Sequence, residues 1–206
     1  MQLRGLDIFA AAATLMFLVF AAVMHHDMWV DAGGPASRAE FFMYACLAAI
    51  AIWVGWLYLR QYPLPAWALV AVAAALALHF VAGFVSLDGR RLYDHVIFGI
   101  RFDKFVHFVN AAITARVVAE LVRLDGGSLG RLYRPLIVLV VLGVGSGVEM
   151  IEYSVARLIP DAGVGFYHNT MQDLIANLCG ATAAMFFLPI GRRSPESSGL
   201  KGGGGA

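Results

Sequence analysis

Six stretches of about twenty residues run through this chain with few charges, and a helix of that length spans the roughly 30 Å of a bilayer's hydrocarbon core. They cover approximately 8–24, 41–59, 65–86, 104–122, 135–158 and 171–190, and proline, glycine and charged residues separate them. Backbone inside hydrocarbon finds no water to bond, so such stretches must be helices that satisfy their own N–H and C=O groups. Composition points the same way: 60% of the residues are hydrophobic and 14% charged, against about 25% charged in a soluble domain. The expected fold is an all-α polytopic membrane bundle of about six transmembrane helices, with residues 1–190 as a single transmembrane domain. The Gly/Ser-rich tail, 191–206, is expected to be disordered. Arg4 ahead of the first stretch suggests a signal peptide, but that stretch is long, lacks a small-residue cleavage site and precedes five more. It reads as a true helix.

A net charge of +1 provides no basic field for nucleic acid and no acidic tail for basic partners. The partners expected are the lipid bilayer and molecules dissolved in it. Cys46 and Cys179 fall inside apolar runs and read as small buried hydrophobes. His25, His26 and Asp27 are expected to mark the interface at the end of the first span, with metal capture as the lesser alternative. An even number of spans puts both termini on one face. Arg4, Arg60, Arg123, Arg131, Arg134, Arg192, Arg193 and Lys201 on that face outnumber the basic residues opposite, so the termini are expected in the cytoplasm, with the inner membrane of a bacterium as the location. The segment "SLDGRRLYDHVIFGIRFDK" opposes this bias, placing Arg90, Arg91, Arg101 and Lys104 on the outer face.

Polar residues recur at helical spacing inside the last three spans. Asp103, His107, Asn110 and Thr114 share one face of the fourth; Ser146, Glu149 and Tyr153 share one face of the fifth, with Glu152 a turn from Glu149. Asn169, Asp173, Asn177 and Gly180 share one face of the sixth. A charge facing lipid costs at least about 2.5 kcal/mol, so the three stripes are expected to face one another. Polar side chains also serve as glue between helices, at about 0.6 kcal/mol per hydrogen bond, and Asn110, Thr114, Ser146 and Asn177 fit that role equally well. Asp103, Glu149, Glu152 and Asp173 are expensive glue. With little positive charge inside the spans, a divalent metal or bound protons are the expected compensation.

Asp103 and His107 at i, i+4 and Glu149 and Glu152 at i, i+3 allow two side chains of one helix to meet one ion. The candidate metal ligands are Asp103, His107, Glu149, Asp173 and His168. Candidate catalytic residues are Asp103, His107, Glu149, Glu152 and Asp173, and candidate headgroup contacts are Arg90, Arg91, Arg101, Lys104 and Asn177. There is no Gly-rich phosphate loop and no nucleophile elbow. Gly143, Gly145 and Gly147 suit helix packing, and His79 stands alone as a packing residue.

"FDKFVHFVNAAITARVVAEL", the glutamate in "VEMIEY" and "DLIANLCGA" resemble, in that order, the signatures of VanZ-like membrane proteins and of the related DUF2238 (YjdF-like) inner-membrane family. The resemblance spans about residues 88–188 and rests on Asp103, His107, Phe108, Glu149 or Glu152, Asp173, Asn177 and Gly180. It implies cell-envelope work on lipids or peptidoglycan precursors, with no fixed reaction. Two function classes stay open: metal-dependent chemistry on an isoprenoid or anionic lipid, and a non-catalytic transporter or envelope assembly factor whose carboxylates carry protons or fix the helices.

Overall fold

The computed structural model describes residues 4–24, 46–47, 49–50, 52–127, 130–158 and 167–187. The tail 191–206, the segment 25–27 and the opening of the expected second span lie outside them. The protein is an all-α membrane helix bundle. Its helices are α1 (Gly5–Met24), α2 (described over 52–59), α3 (Ala66–Phe84), α4 (Phe102–Leu124), α5 (Tyr133–Leu158) and α6 (Tyr167–Phe186). Among the described residues, Ala66–Gly83, Phe102–Leu124 and Tyr133–Leu158 are long and apolar enough to cross a membrane. Pro63 and Pro65 separate α2 from α3, since neither can donate the backbone bond a continuous helix requires.

Helix α6 begins at Tyr167, a full turn ahead of the apolar onset at Met171. Its polar first turn is held by bonds to α4, described below, so hydropathy does not mark where the helix starts. At the other end of the molecule, Trp56 Nε1 donates to Asp7 Oδ1 at 2.7 Å, and the Arg60 guanidinium lies 4.7 Å over the Trp56 ring. The start of α1 is thereby tied to the end of α2.

Between α3 and α4 the chain folds into two tandem β-hairpins, a feature the periodicity does not announce. β1 (Ser86–Leu87) pairs with β2 (Arg90–Arg91), and β3 (Val96–Ile97) pairs with β4 (Ile100–Arg101), each pair antiparallel. Leu92 N donates to Val85 O and Phe102 N to His95 O, both at 2.8 Å, so the second hairpin repeats the first at the same register. The two-residue tips, Asp88–Gly89 and Phe98–Gly99, have φ of 51° and 74°, and 52° and 80°. Positive φ at both tip residues is the turn that matches strand twist, and it selects Asn or Asp followed by Gly. Asp88 obeys this rule. Phe98 does not, and a left-handed conformation costs an ordinary side chain about 1–2 kcal/mol.

The core lies between α4, α5 and α6. Ala111, Ala115 and Ala119 form a small-residue stripe on α4 that meets Ile137, Val138 and Val141 of α5 and Ala181, Ala184 and Met185 of α6. Small side chains let backbones approach closely, which is how helices gain contact where lipid removes the hydrophobic drive to associate. The closest approach is at Gly180, where an added Cβ would overlap the carbonyl of Phe108. Of the three α5 glycines, Gly145 is the one used in this way, against the Asn177 side chain; Gly143 and Gly147 face open space. The outer surface carries Leu139, Val140, Val144, Val148 and Ile151 of α5 exposed, as a lipid-facing wall requires. Cys46 and Cys179, read above as buried, are free thiols on exposed positions.

Gly180→Ala is expected to cost about 1–3 kcal/mol through overpacking against backbone that cannot rotate away. Gly147→Ala, with nothing within 4 Å of the new Cβ, is expected to be neutral or stabilising. Thermal unfolding of the two variants in the same detergent checks the contrast.

Candidate functional site

The site is assembled around one buried ammonium. Lys104, in the first turn of α4, is 7% exposed, and its Nζ donates to Asp173 Oδ1 at 2.7 Å, Asn169 Oδ1 at 2.8 Å and Asp103 Oδ2 at 3.1 Å. A weaker bond of 3.3 Å reaches the Asn169 carbonyl. Lysine has three donors and no acceptor, and here the donors are consumed by acceptors from two helices. Asn169 Nδ2 in turn donates to Asp173 Oδ2 at 2.7 Å, so both oxygens of a carboxylate only 1% exposed are satisfied. Asp173 lies one turn after Asn169 on α6, which is why the two side chains meet.

On the other side of Asp173 the site changes character. His107 Nε2 lies 3.4 Å from Asp173 Oδ1. Glu149, 4% exposed, enters from α5, and one ligand atom from each of His107, Glu149 and Asp173 lies within 4.8 Å of the others. Both Glu149 carboxylate oxygens are buried and neither closes a well-formed hydrogen bond among the described residues, the Thr170 side chain being the polar group beside them. A buried carboxylate left in that state costs far more than a hydrogen bond returns, so the arrangement calls for a cation or a proton.

The hairpins close the mouth of the site. Asp94, in the short helical turn between them, accepts from Arg91 Nε at 3.0 Å and from Arg101 Nη2 at 2.9 Å, and these arginines occupy equivalent places in the two hairpins. Arg101 also reaches Asp103 Oδ2 at 3.2 Å and donates through Nη1 to Asn169 Oδ1 at 3.0 Å. Its Nε is buried without a partner among the described residues. Tyr93 shares a 2.7 Å hydrogen bond with His79 Nδ1 of α3 and packs its ring where a Cβ on Gly83 would sit. Desolvation, reinforced by the carboxylates of Glu152, Asp103 and Asp173, holds the Tyr93 hydroxyl well above the ordinary tyrosine range, so it keeps its proton.

The sequence-derived candidates therefore separate. Asp103, His107, Glu149 and Asp173 converge, but Asp103 is committed to Lys104 and Arg101 and stands outside the His107/Glu149/Asp173 group. Glu152 is half-buried one turn along α5 and also stands outside it. His168 is exposed and bonded to Gln172 at 3.1 Å, turned away from the group. Lys104, placed at the mouth by its position in the sequence, is turned inward; Arg101 spans mouth and interior; Arg91 is held by Asp94; and Arg90 is exposed. Asn177 is buried one turn beyond Asp173 on α6, wedged against Gly145. Spacing alone missed Asn169 as a bridging ligand of the ammonium, Asp94 as the clasp of the hairpins, and the Tyr93–His79 bond. The Asn169–Asp173 i, i+4 spacing is the signal that could have found the first.

Fold and site together define a membrane helix bundle with a histidine–carboxylate–lysine cluster at one end of its last three helices. The chain belongs to the DUF2238 family, described as predicted membrane proteins, whose family model matches residues 9–193. No curated protein and no solved structure matches it.

Lys104→Met is expected to destabilise the protein by about 3–5 kcal/mol, because it leaves Asp173 buried without its lysine and Asp103 with Arg101 alone. Adding Asp173→Asn to it is expected to recover part of that loss. Unfolding of the two single variants and the double variant, taken as a cycle, measures the coupling.

Proposed function

We propose that the protein binds a divalent metal ion between His107, Glu149 and Asp173 and uses it on the headgroup of an anionic or isoprenoid lipid of the cell envelope. The observation that carries this reading is Glu149: a buried carboxylate with no ion pair and no well-formed hydrogen bond among the described residues, within coordinating reach of a histidine and a second carboxylate. One nitrogen and two carboxylate donors suit first-row divalent ions, with Mg²⁺ or Mn²⁺ favoured by the oxygens and Zn²⁺ by the imidazole. When bound, such an ion polarises a phosphoryl oxygen or activates water. The residues around it have separable tasks. Lys104 and Asn169 hold Asp173 fixed in place, leaving Oδ1 a lone pair on the His107 side. Arg101, with an unpartnered Nε, and the exposed Arg90 supply positive charge at the mouth for an anionic headgroup.

In this reading all six helical segments cross the inner membrane of a bacterium, both termini are cytoplasmic and the hairpins lie on the opposite face. The excess of Lys and Arg on the terminal side supports that orientation. The resemblance of the three motifs to those of VanZ-like proteins supports a role in the envelope. Glu149 also supports a second reading, in which it carries a proton and the protein is a transporter or assembly factor.

Elemental analysis of protein purified in mild detergent decides between them. About one divalent ion per chain is expected, lost in Glu149→Gln and His107→Ala and retained in Asp103→Asn. Folded protein that takes up no ion when dialysed against Mg²⁺, Mn²⁺ and Zn²⁺ in turn would overturn the metal reading in favour of the proton one.

A further inference from the structure

Two hairpins of one geometry, ten residues apart (Ser86 to Val96), carry opposite chemistry at their tips. The first ends in Asp88–Gly89 and is followed by the exposed Arg90, a polar tip that obeys the turn's residue preference. The second ends in Phe98–Gly99. Phe98 is 100% exposed, and Val96, Ile97 and Ile100 around it are 63%, 46% and 60% exposed. Every side chain of this small ribbon except Arg101 is apolar and unburied, and the tip holds an aromatic in a conformation that favours Asn, Asp or Gly. Water rewards none of these choices. Such a surface in water is a pairing and aggregation hazard.

Position in the fold supplies the occupant. β4 runs directly into α4, whose first residue is Phe102, and a two-residue strand rises only about 7 Å. The tip is therefore held within a headgroup layer's depth of the point where a membrane-crossing helix begins. The apolar surface also continues onto that helix: the Phe102 and Phe105 rings lie 5.5 Å apart, and Phe105 and Phe108 are exposed along α4. Arg101, at the foot of the ribbon, and Arg90 and Arg91 beside it supply the cationic rim typical of segments seated in an interface.

We infer that the Val96–Ile100 ribbon is an interfacial anchor, with Phe98 inserted at the headgroup–acyl boundary of the protein's own membrane while the Asp88–Gly89 hairpin stays in water. Because Arg101 bonds both Asp94 and Asn169, the anchor is joined to the site by one side chain. Seating the tip fixes the mouth of the site at headgroup depth. The inference rests on the membrane fold and not on the metal, so the two fail independently.

The test uses full-length protein with Cys46 and Cys179 changed to Ala, carrying a single Phe98→Cys or Asp88→Cys labelled with an environment-sensitive nitrobenzoxadiazole dye. Each is reconstituted in vesicles of phosphatidylcholine with a minority of phosphatidylglycerol, with and without lipids bearing a doxyl quencher high on the acyl chain. The dye at 98 is expected to emit to the blue of the dye at 88 and to lose fluorescence to doxyl lipid. The dye at 88 is expected to be quenched by aqueous iodide instead. Equal iodide quenching at both sites overturns the inference. So does a dye at 98 shielded from both quenchers, which would mean that protein and not lipid covers the tip. A dye at Val96→Cys, with Phe98 either retained or changed to Asn, provides a second reading. Asn satisfies the turn better than Phe, so thermal stability in detergent is expected to hold or rise while doxyl quenching at 96 falls. Unchanged quenching at 96 would show that Phe98 does not seat the ribbon.

Discussion

The Lys104 ammonium is the contact on which the rest of the structure depends. It is the cation that lies between Asp103 of its own helix and Asp173 of α6, and it takes Asn169 as a third acceptor. Two carboxylates and an amide oxygen cannot be brought together in a low-dielectric interior without such a charge. With it in place, α6 begins a turn before hydropathy alone would start it, Asp173 is fixed in rotamer, and the helix pair α4/α6 has a defined register. The small-residue core of Ala111, Ala115, Ala119, Ala181 and Ala184 then packs what the ion pair has aligned. Electrostatics sets which residues face each other, and close packing sets how near they come.

This arrangement divides the carboxylates into two kinds. Asp173 has both oxygens bonded and Asp103 is held through Oδ2 by Lys104 and Arg101, while Glu149 reaches the same space from an antiparallel helix with no ion pair and only the Thr170 side chain beside its oxygens. Under the proposed metal or proton reading, Glu149 is the side chain through which the cluster exchanges something with its surroundings. At the opposite end of α4, Glu120 is also buried but is paired with Arg123 at 2.7 Å, so its account is complete and it suggests no chemistry.

Much of this was legible in the residues. The stripes Asp103/His107 and Asn169/Asp173/Asn177 follow from the 3.6-residue period, and the cost of charge in hydrocarbon forces them inward. Lys104 was harder to place because it lies one residue off the stripe, about 100° around the helix. A four-carbon stem lets its ammonium return to the polar face, which a positional index does not show. The hairpin tip Asp88–Gly89 is a recognisable turn signal, whereas Phe98–Gly99 resembles ordinary apolar sequence and conceals an identical turn. Glu149 and Glu152 were equivalent by spacing. Only the rotation of α5 against its neighbours, a tertiary property, separates the one that enters the cluster from the one that stands outside it. His79 and Tyr93 belong to different elements and share no local pattern at all.

The overlap that a side chain at Gly180 would create with the Phe108 carbonyl has a meaning beyond packing density. Gly180 is two turns, about 10 Å, along α6 from Asp173, so the contact acts as a fulcrum. A wedge placed there tilts one helix against the other and opens or closes the gap that the Lys104 stem must bridge. A residue that carries no charge and no side chain thus sets how near the two helices of the ionic cluster can come, one turn along α4 from Lys104.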